Sequence, residues 1–566
     1  MSVRSSGRIQ FAPTFRLHGR SGHLSRSMSV LQPIRRPLEG EHFHIIVVGG
    51  GINGVAIARE CALAGRRTLL LEQRDFGAGT TSRSTRLIHG GLRYLEHGEI
   101  GQVRESLRER RWLLQHHPHL VSPLEFLLIL GEGSRRSALS VRAGLWLYRR
   151  FAGSSLQPGR NGAEQKKLER LLDAGKRFSL FSFDDAQCEF PERLVAEWLT
   201  EACAGGLEAR NYAQVLQVEV RHGRATGVLV RDALLRKEER IEGTWIVNAA
   251  GPWVDRICEN SNFRRRHPLV GGVRGSHIVL PRFTGAPAAA VYTEAEDGRP
   301  FFVVPWNEQV LVGTTEVPDN EDPGRTQPSA DEVSYLLRSL TALFPRARLT
   351  GHEILRTFAG IRPLPFSPQK NPSQITRRHY IHDHTNEGAA QLLSVIGGKL
   401  TTAGSVAREC ARKVGAARGI APTTEVLTGD VQEAFDNWVD DVAQAGGINL
   451  ESARAIVEWH GGNSIAVSRL AARSPQLRAR LCPHTTHIVA EAVHAFTSEC
   501  AVTLADVLLR RTPVALGPCW SPECTRQAAF AIAAAEGWSE DRAVRESQAF
   551  EAERDAFLRR PAAPPV

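Results

Sequence analysis

Apolar residues first gather at Ile45-Ile46-Val47-Val48, an unbroken run of strand length. A glycine-dense turn from Gly49 to Gly54 follows, then helically spaced apolar positions through Ala64-Gly65, then Thr68-Leu69-Leu70-Leu71. The pattern predicts a βαβ unit. After the turn at Gly90-Gly91, Glu99 to Leu114 places apolar residues at helical spacing among several Glu/Arg pairs, so a surface helix is expected. Farther on the period shortens. Val215–Val220, Thr226–Val230, Ser276–Leu280, Phe301–Val304 and Gln309–Gly313 read as short strands between Gly and Pro turns, which predicts a mixed or antiparallel sheet. Past Thr423 the windows turn helical and rich in Ala and Arg, from Asp430 to about Glu553, before a Pro/Ala tail expected to be disordered.

At 566 residues the chain is too long for one ordinary domain. Its 42% hydrophobic and 23% charged residues are the balance of a globular protein. The net charge of +10 changes meaning once it is located, because the first 38 residues hold seven Arg and no acidic residue. With most of the excess confined to that segment and no basic stripe with interleaved aromatics, nucleic acid is not an expected partner. The acid-free, Arg- and Ser-rich leader has the composition of a mitochondrial presequence, and a mis-assigned start gives similar sequence. The second methionine, Met28, and the scarcity of Lys favour a bacterial protein. Nine scattered cysteines form no Cys-x-x-Cys pair and no His-spaced metal pattern, so reduced buried thiols and no metal are expected.

Gly49-Gly50-Gly51-Ile52-Asn53-Gly54 satisfies G-x-G-x-x-G between strand and helix, where bare backbone lets a pyrophosphate approach the positive helix N-terminus. Glu72 ends the second strand 18 residues after Gly54, where a carboxylate can accept hydrogen bonds from an adenosine ribose. A dinucleotide site is therefore expected; NAD and FAD both use such a turn.

The stretch Gly79-Thr-Thr-Ser-Arg-Ser-Thr-Arg-Leu-Ile-His-Gly-Gly-Leu-Arg-Tyr-Leu-Glu96 closely resembles the FAD-dependent glycerol-3-phosphate dehydrogenases, a branch of the D-amino-acid-oxidase-like flavoproteins. The likeness continues at Val247–Val254, Arg274–Val279, Gly313–Glu316, Ala359–Leu364, Ile396–Thr402 and Asp506–Thr512. It implies FAD as cofactor, glycerol 3-phosphate as substrate and a membrane quinone, or oxygen, as acceptor. The expected fold is α/β: a Rossmann-type FAD-binding domain interleaved with a mixed-sheet substrate domain over 41–425, and an all-α C-terminal domain over 426–556. Residues 1–40 are expected to be a disordered leader or a mis-assigned start, and 557–566 a disordered tail.

Position in these motifs assigns flavin contacts to Gly49, Gly51, Gly54, Glu72, Thr81, Ser82, His89, Gly90, Gly251, Gly398, Lys399, Thr401 and Thr402, the last two through backbone N–H groups. Arg93 and Arg362 are expected to clamp the phosphate, because guanidinium forks match its geometry. His277, whose ordinary pKa lies near neutrality, is the expected base for the hydroxyl proton, and Lys399 the stabiliser of flavin or carbonyl charge. Tyr94 would line the substrate pocket. The catalytic set is thus His277, Lys399 and Arg362.

One departure stands out. The family continues Gly-Gly-Lys-x-Thr-Thr with Tyr-Arg, whereas Ala403 and Gly404 stand here, and an erythritol phosphate specificity or an inactive binding module become alternatives; an oxygen-using oxidase is a further one, because the sequence does not separate oxidase from dehydrogenase. No apolar run reaches the ~20 residues of a spanning helix. The segment from Arg135-Arg136 to Phe151 alternates basic and apolar residues, so peripheral attachment at the cytoplasmic face of a bacterial inner membrane is expected, with a mitochondrial membrane as the alternative. The sequence does not fix the oligomeric state, and a homodimer is compatible with it.

Overall fold

The computed structural model describes residues 35–559, apart from 97, 132–133, 135, 154–161, 266, 296, 371–373 and 418–430. The predicted βαβ unit is present as β1 (His42–Val48), α1 (Ile52–Leu63) and β2 (Thr68–Leu71), with β1 and β2 parallel. The helix α1 is short and apolar on nearly every side because it is covered on nearly every side. Val55, Ala56, Ile57, Ala58, Cys61 and Ala62 are all buried, against helices Ala403–Lys413 and Pro191–Ala204 and the sheet. Burying a side chain such as Ile57 contributes roughly 1.5–3 kcal/mol.

Two sheets share the chain by turns. The first has eight strands: Tyr380–Asp383, Leu392–Ile396, Lys237–Asn248, β1, β2 and Glu208–Arg210 in spatial order, with the hairpin Ala213–Arg221/Arg224–Asp232 joined to Lys237–Asn248. Its centre is parallel. The second has nine strands and draws them from 87–188 and 270–365, so it interrupts the first sheet in sequence and packs beside it in space. Val121–Gly131 and Phe178–Cys188 form its longest antiparallel ladder together with Val270–Pro281/Arg356–Pro365.

From Val431 to Phe557 the described chain is helical. Side-chain caps set the starts: Asn449 accepts from Ser452 N–H at 2.8 Å and Ser539 from Arg542 N–H at 3.2 Å. These helices do not stand apart, because Leu508, Trp520 and Phe550 share one apolar cluster with Phe126, Phe183 and Phe358 of the second sheet.

Both ends of the fold extend beyond the expected boundaries. Arg35 already donates to Asn211 and Asp232, and Leu38 is buried, so the packed structure begins inside the presumed leader. At the other end Phe557 and Leu558 are buried and Arg559 pairs with Thr357 through two backbone hydrogen bonds. The boundary near residue 425 and residues 560–566 lie outside the described residues.

Candidate active site

A cavity of about 720 Å³ runs from the glycine turn of β1 and α1 to the inner face of the second sheet, within the usual range for ligand sites. At its first end Gly49 has φ +105°, and a side chain there would stand 2.6 Å from the carbonyl oxygen of Ala249. Glu72 accepts from Gly50 N–H at 2.6 Å and Arg74 N–H at 2.9 Å. Burial pushes its pKa up, and those two bonds oppose the rise. Thr81 Oγ1 accepts from Ile52 N–H at 3.0 Å and pins the start of α1. Gly51, Gly251 and Gly398 line the same space.

His277, Arg362, Lys399, Tyr94 and His89, from four separate segments, also line this cavity. His277 is buried, with Nε2 bonded to Thr85 Oγ1 at 2.9 Å, its ring stacked on Phe358 and Nδ1 without a hydrogen-bond partner. Burial, then Arg362 and Arg86, push its pKa down to about 3, so the neutral imidazole fills the site at neutral pH. This corrects the expectation that His277 titrates near 7. The group poised there is Lys399, which burial lowers to about 7. Its ammonium nitrogen is shielded, has no hydrogen-bond partner and lies 4.5 Å over the Tyr94 ring. Arg362 is aimed by Thr314, which accepts from Nη2 at 2.8 Å, and by the carbonyl of Thr315 at 3.2 Å.

Several expected contacts fall elsewhere. Gly54 does not line the cavity; a side chain on it would sit 1.8 Å from the Gly49 carbonyl, so it is the residue that lets α1 close on β1. Ser82 Oγ donates to Gly77 O, and Gly90 packs under Tyr148, both behind the wall. Thr401 Oγ1 accepts from His89 N–H, and the N–H of Thr402 is already donated to Lys399 O, so neither is a cavity-wall residue and Thr402 has no N–H to offer a ring. Arg93 opens a four-residue helix in the right place, but its side chain lies outside the described residues.

Two features escaped the sequence reading. Arg377 reaches the cavity with Nη2 on Glu316 at 2.5 Å and its buried Nη1 without a partner. Asp185, held by Tyr148 and Arg110, is the largest influence that raises Lys399 against burial. Neither belongs to a recognisable local motif. The structure also places the Ala403/Gly404 departure. Neither residue lines the cavity, and a side chain on Gly404 would meet Glu109 Oε2 at 2.9 Å and Arg408 Nη1 at 3.2 Å. Arg408, one turn onward, pairs with Glu109 across the bare glycine.

The cavity fits an FAD-sized group: a glycine cradle at a helix N-terminus at one end, and buried polar atoms without hydrogen-bond partners (Asn53 Oδ1, Arg83 Nε, His277 Nδ1, Lys399 Nζ) along it. Comparison with known proteins agrees. The family model "FAD dependent oxidoreductase" matches residues 44–404, and "C-terminal domain of alpha-glycerophosphate oxidase" matches 414–543. The chain belongs to the FAD-dependent oxidoreductase family. A member from Synechocystis, named glycerol-3-phosphate dehydrogenase, is 36% identical over 85% of this chain and 90% of its own length. The aerobic glycerol-3-phosphate dehydrogenase of Staphylococcus aureus is 31% identical over 85% of this chain and 88% of its own. Among solved structures, the FAD complex of the Bacillus halodurans glycerol-3-phosphate dehydrogenase shares the fold with a TM-score of 0.71 at 22% identity, covering 94% of this chain and 97% of that one. This family member is an FAD-dependent oxidoreductase with a helical C-terminal region.

Proposed function

We propose that the enzyme oxidises the secondary alcohol of sn-glycerol 3-phosphate to dihydroxyacetone phosphate and passes the electrons to a membrane quinone. The observation that carries this reading is that Arg362, Arg377, Lys399 and His277 line one cavity together with the glycine turn. Relatives named for that activity span most of the chain and support it. FAD, held by Gly49, Gly51, Glu72 and Thr81, supplies the acceptor for the hydride equivalent.

The residues divide the remaining work by charge. Arg362 and Arg377, with Arg93 as a third candidate, offer fork geometry to a phosphate dianion. That dianion raises the pKa of every basic group near it. Lys399 is thereby kept cationic and opposes the charge that develops on the carbonyl oxygen. His277, lifted from about 3, becomes the base whose free Nδ1 takes the hydroxyl proton. Because Ala403 and Gly404 do not line the cavity, they give no reason for a longer polyol phosphate. Dye-coupled turnover tests the substrate: kcat/KM is expected to be highest for glycerol 3-phosphate, lower for erythritol phosphate and near zero for glycerol. Equal rates with glycerol would refute the phosphate clamp.

Helix Ala138–Ala152 supports the membrane acceptor. Val141, Leu145, Tyr148 and Ala152 face inward, while Leu139 is 76% and Trp146 68% exposed on the opposite face. Exposed Arg142, Arg149 and Arg150 flank them, and the helix contains no acidic residue. Each such cation near an anionic leaflet is worth about 1 kcal/mol. Among the described residues no helix is long and apolar enough to cross a membrane, so contact would be peripheral, at the cytoplasmic face of a bacterial inner membrane. The protein should float with anionic but not zwitterionic vesicles, and Trp146→Glu should prevent it; staying in solution with anionic vesicles would rule the attachment out.

A further inference from the structure

We propose that His382, His384 and Glu387 form a binding site for a divalent transition cation of the zinc class, outside the flavin cavity. Strand Tyr380–Asp383 presents His382, and the single 3-10 turn His384–Glu387 that ends it presents the other two. One donor atom from each side chain lies within 4.8 Å of the other two. His382 Nε2 stands 3.2 Å from Glu387 Oε1 and His384 Nδ1 2.5 Å from Glu387 Oε2, with the two imidazoles edge to face at 4.5 Å. Ligands of a tetrahedral zinc ion, each about 2.0–2.2 Å from the metal, stand about 3.3 Å apart. Small side-chain rotations therefore suffice to admit the ion.

Three further observations favour a ligand set over a simple hydrogen-bonded group. The second ring nitrogen of His384 is held by Ser394 Oγ at 2.8 Å, from the strand position directly opposite His382. A partner of that kind fixes the tautomer of a metal-binding histidine and aims its other nitrogen at the ion. His384 is fully buried, so an ion bound to it would be partly shielded from water. His382 and Glu387 keep 29% and 18% of their side chains exposed, which leaves an entry path and a fourth position for water. The nearby cation Arg265 is engaged by Asp255 and Glu259.

The contrast with His460, His494 and Glu499 is instructive. Those atoms are equally close, but the guanidinium of Arg193 already sits among them, donating to Glu499 and His460. A metal there would meet a resident charge. Around His382 the structure places no such cation among the ligand atoms it describes.

The test is equilibrium dialysis of the flavin-loaded full chain against zinc, with metal counted by atomic absorption and flavin by absorbance. Wild type should hold one zinc more than His382→Ala or Glu387→Gln, both with unchanged flavin content, and zinc should raise the unfolding midpoint of wild type only. Ser394→Ala should weaken zinc binding about 10- to 100-fold. Cobalt in place of zinc should give the intense visible bands of a four-coordinate ion. Equal zinc in wild type and His382→Ala, or none in either, would overturn the site. His382→Ala changes a partly exposed residue, so it remains decisive if Ser394→Ala fails to fold.

Discussion

Lys399 and His277 share one cavity, but burial moves one to neutrality and the other far below it. The charge on Lys399 is present below about pH 7 and lost as pH rises through it. If that charge opposes the one that develops on the substrate oxygen, kcat/KM falls above neutrality, and Lys399→Gln gives a lower rate without that alkaline limb. A limb that survives the substitution assigns it to another group. Arg362→Lys keeps the charge and loses the fork. A charge-assisted hydrogen bond is worth about 1.5–3 kcal/mol, so kcat/KM should drop roughly 10- to 150-fold. The same variant should barely change flavin content. Identity and position of these residues were legible in motifs, but their protonation was not, because burial is a property of the assembled fold. Arg377 was invisible for a related reason: its free Nη1 has meaning only beside residues distant in sequence.

At the scale of elements, the strand and helix periods read well where a turn residue bounds them. Thr68–Leu71 and Gln309–Gly313 are found at the expected limits, and helix Ile100–His116 lies within two residues of its forecast. Strand Val121–Gly131 is not among the strands that the sequence pattern predicts. Its partner Phe178–Cys188 lies some fifty residues away, and pairing at that range leaves no local sign. Ser82, Gly90, Thr401 and Thr402 show the same limit, since a motif marks a neighbourhood and not the direction in which each group points. Gly54→Ala is the sharpest test of an element. Its methyl group would run into the Gly49 carbonyl, pushing α1 off β1 at a cost of about 1–3 kcal/mol or more. The purified variant should be colourless or flavin-poor; full flavin occupancy would contradict the close approach. Arg408→Ala, by comparison, leaves a buried Glu109 with only the more distant Arg108, at 3.9 Å. It should cost about 1–2 kcal/mol in chemical denaturation, because Arg408 is itself 43% exposed.

Across the whole molecule, buried ion pairs bind the C-terminal helices to the flavin-binding half. Asp75, three residues beyond Glu72, accepts from both Arg510 and Arg511, and Arg193 reaches Glu499, all nearly or fully buried. Burial works against the Asp75 carboxylate, yet Arg511 and Arg510 hold it well below the usual range. This accounts for the Asp506–Thr512 motif, which the sequence could only match: its arginines tie the helical region to the loop that follows β2. Asp75→Asn should cost about 3–5 kcal/mol and release flavin at a lower temperature, measured by thermal unfolding with flavin fluorescence. An unchanged midpoint would mean that Asp75 plays no part in holding the two halves together. The central claim is that this assembled cavity oxidises a phosphorylated alcohol. The most direct measurement is anaerobic mixing of the yellow protein with glycerol 3-phosphate while the flavin absorbance is followed, with glycerol as control. The account predicts rapid bleaching by the phosphate ester alone; a flavin that stays oxidised, or bleaches equally with glycerol, would contradict it.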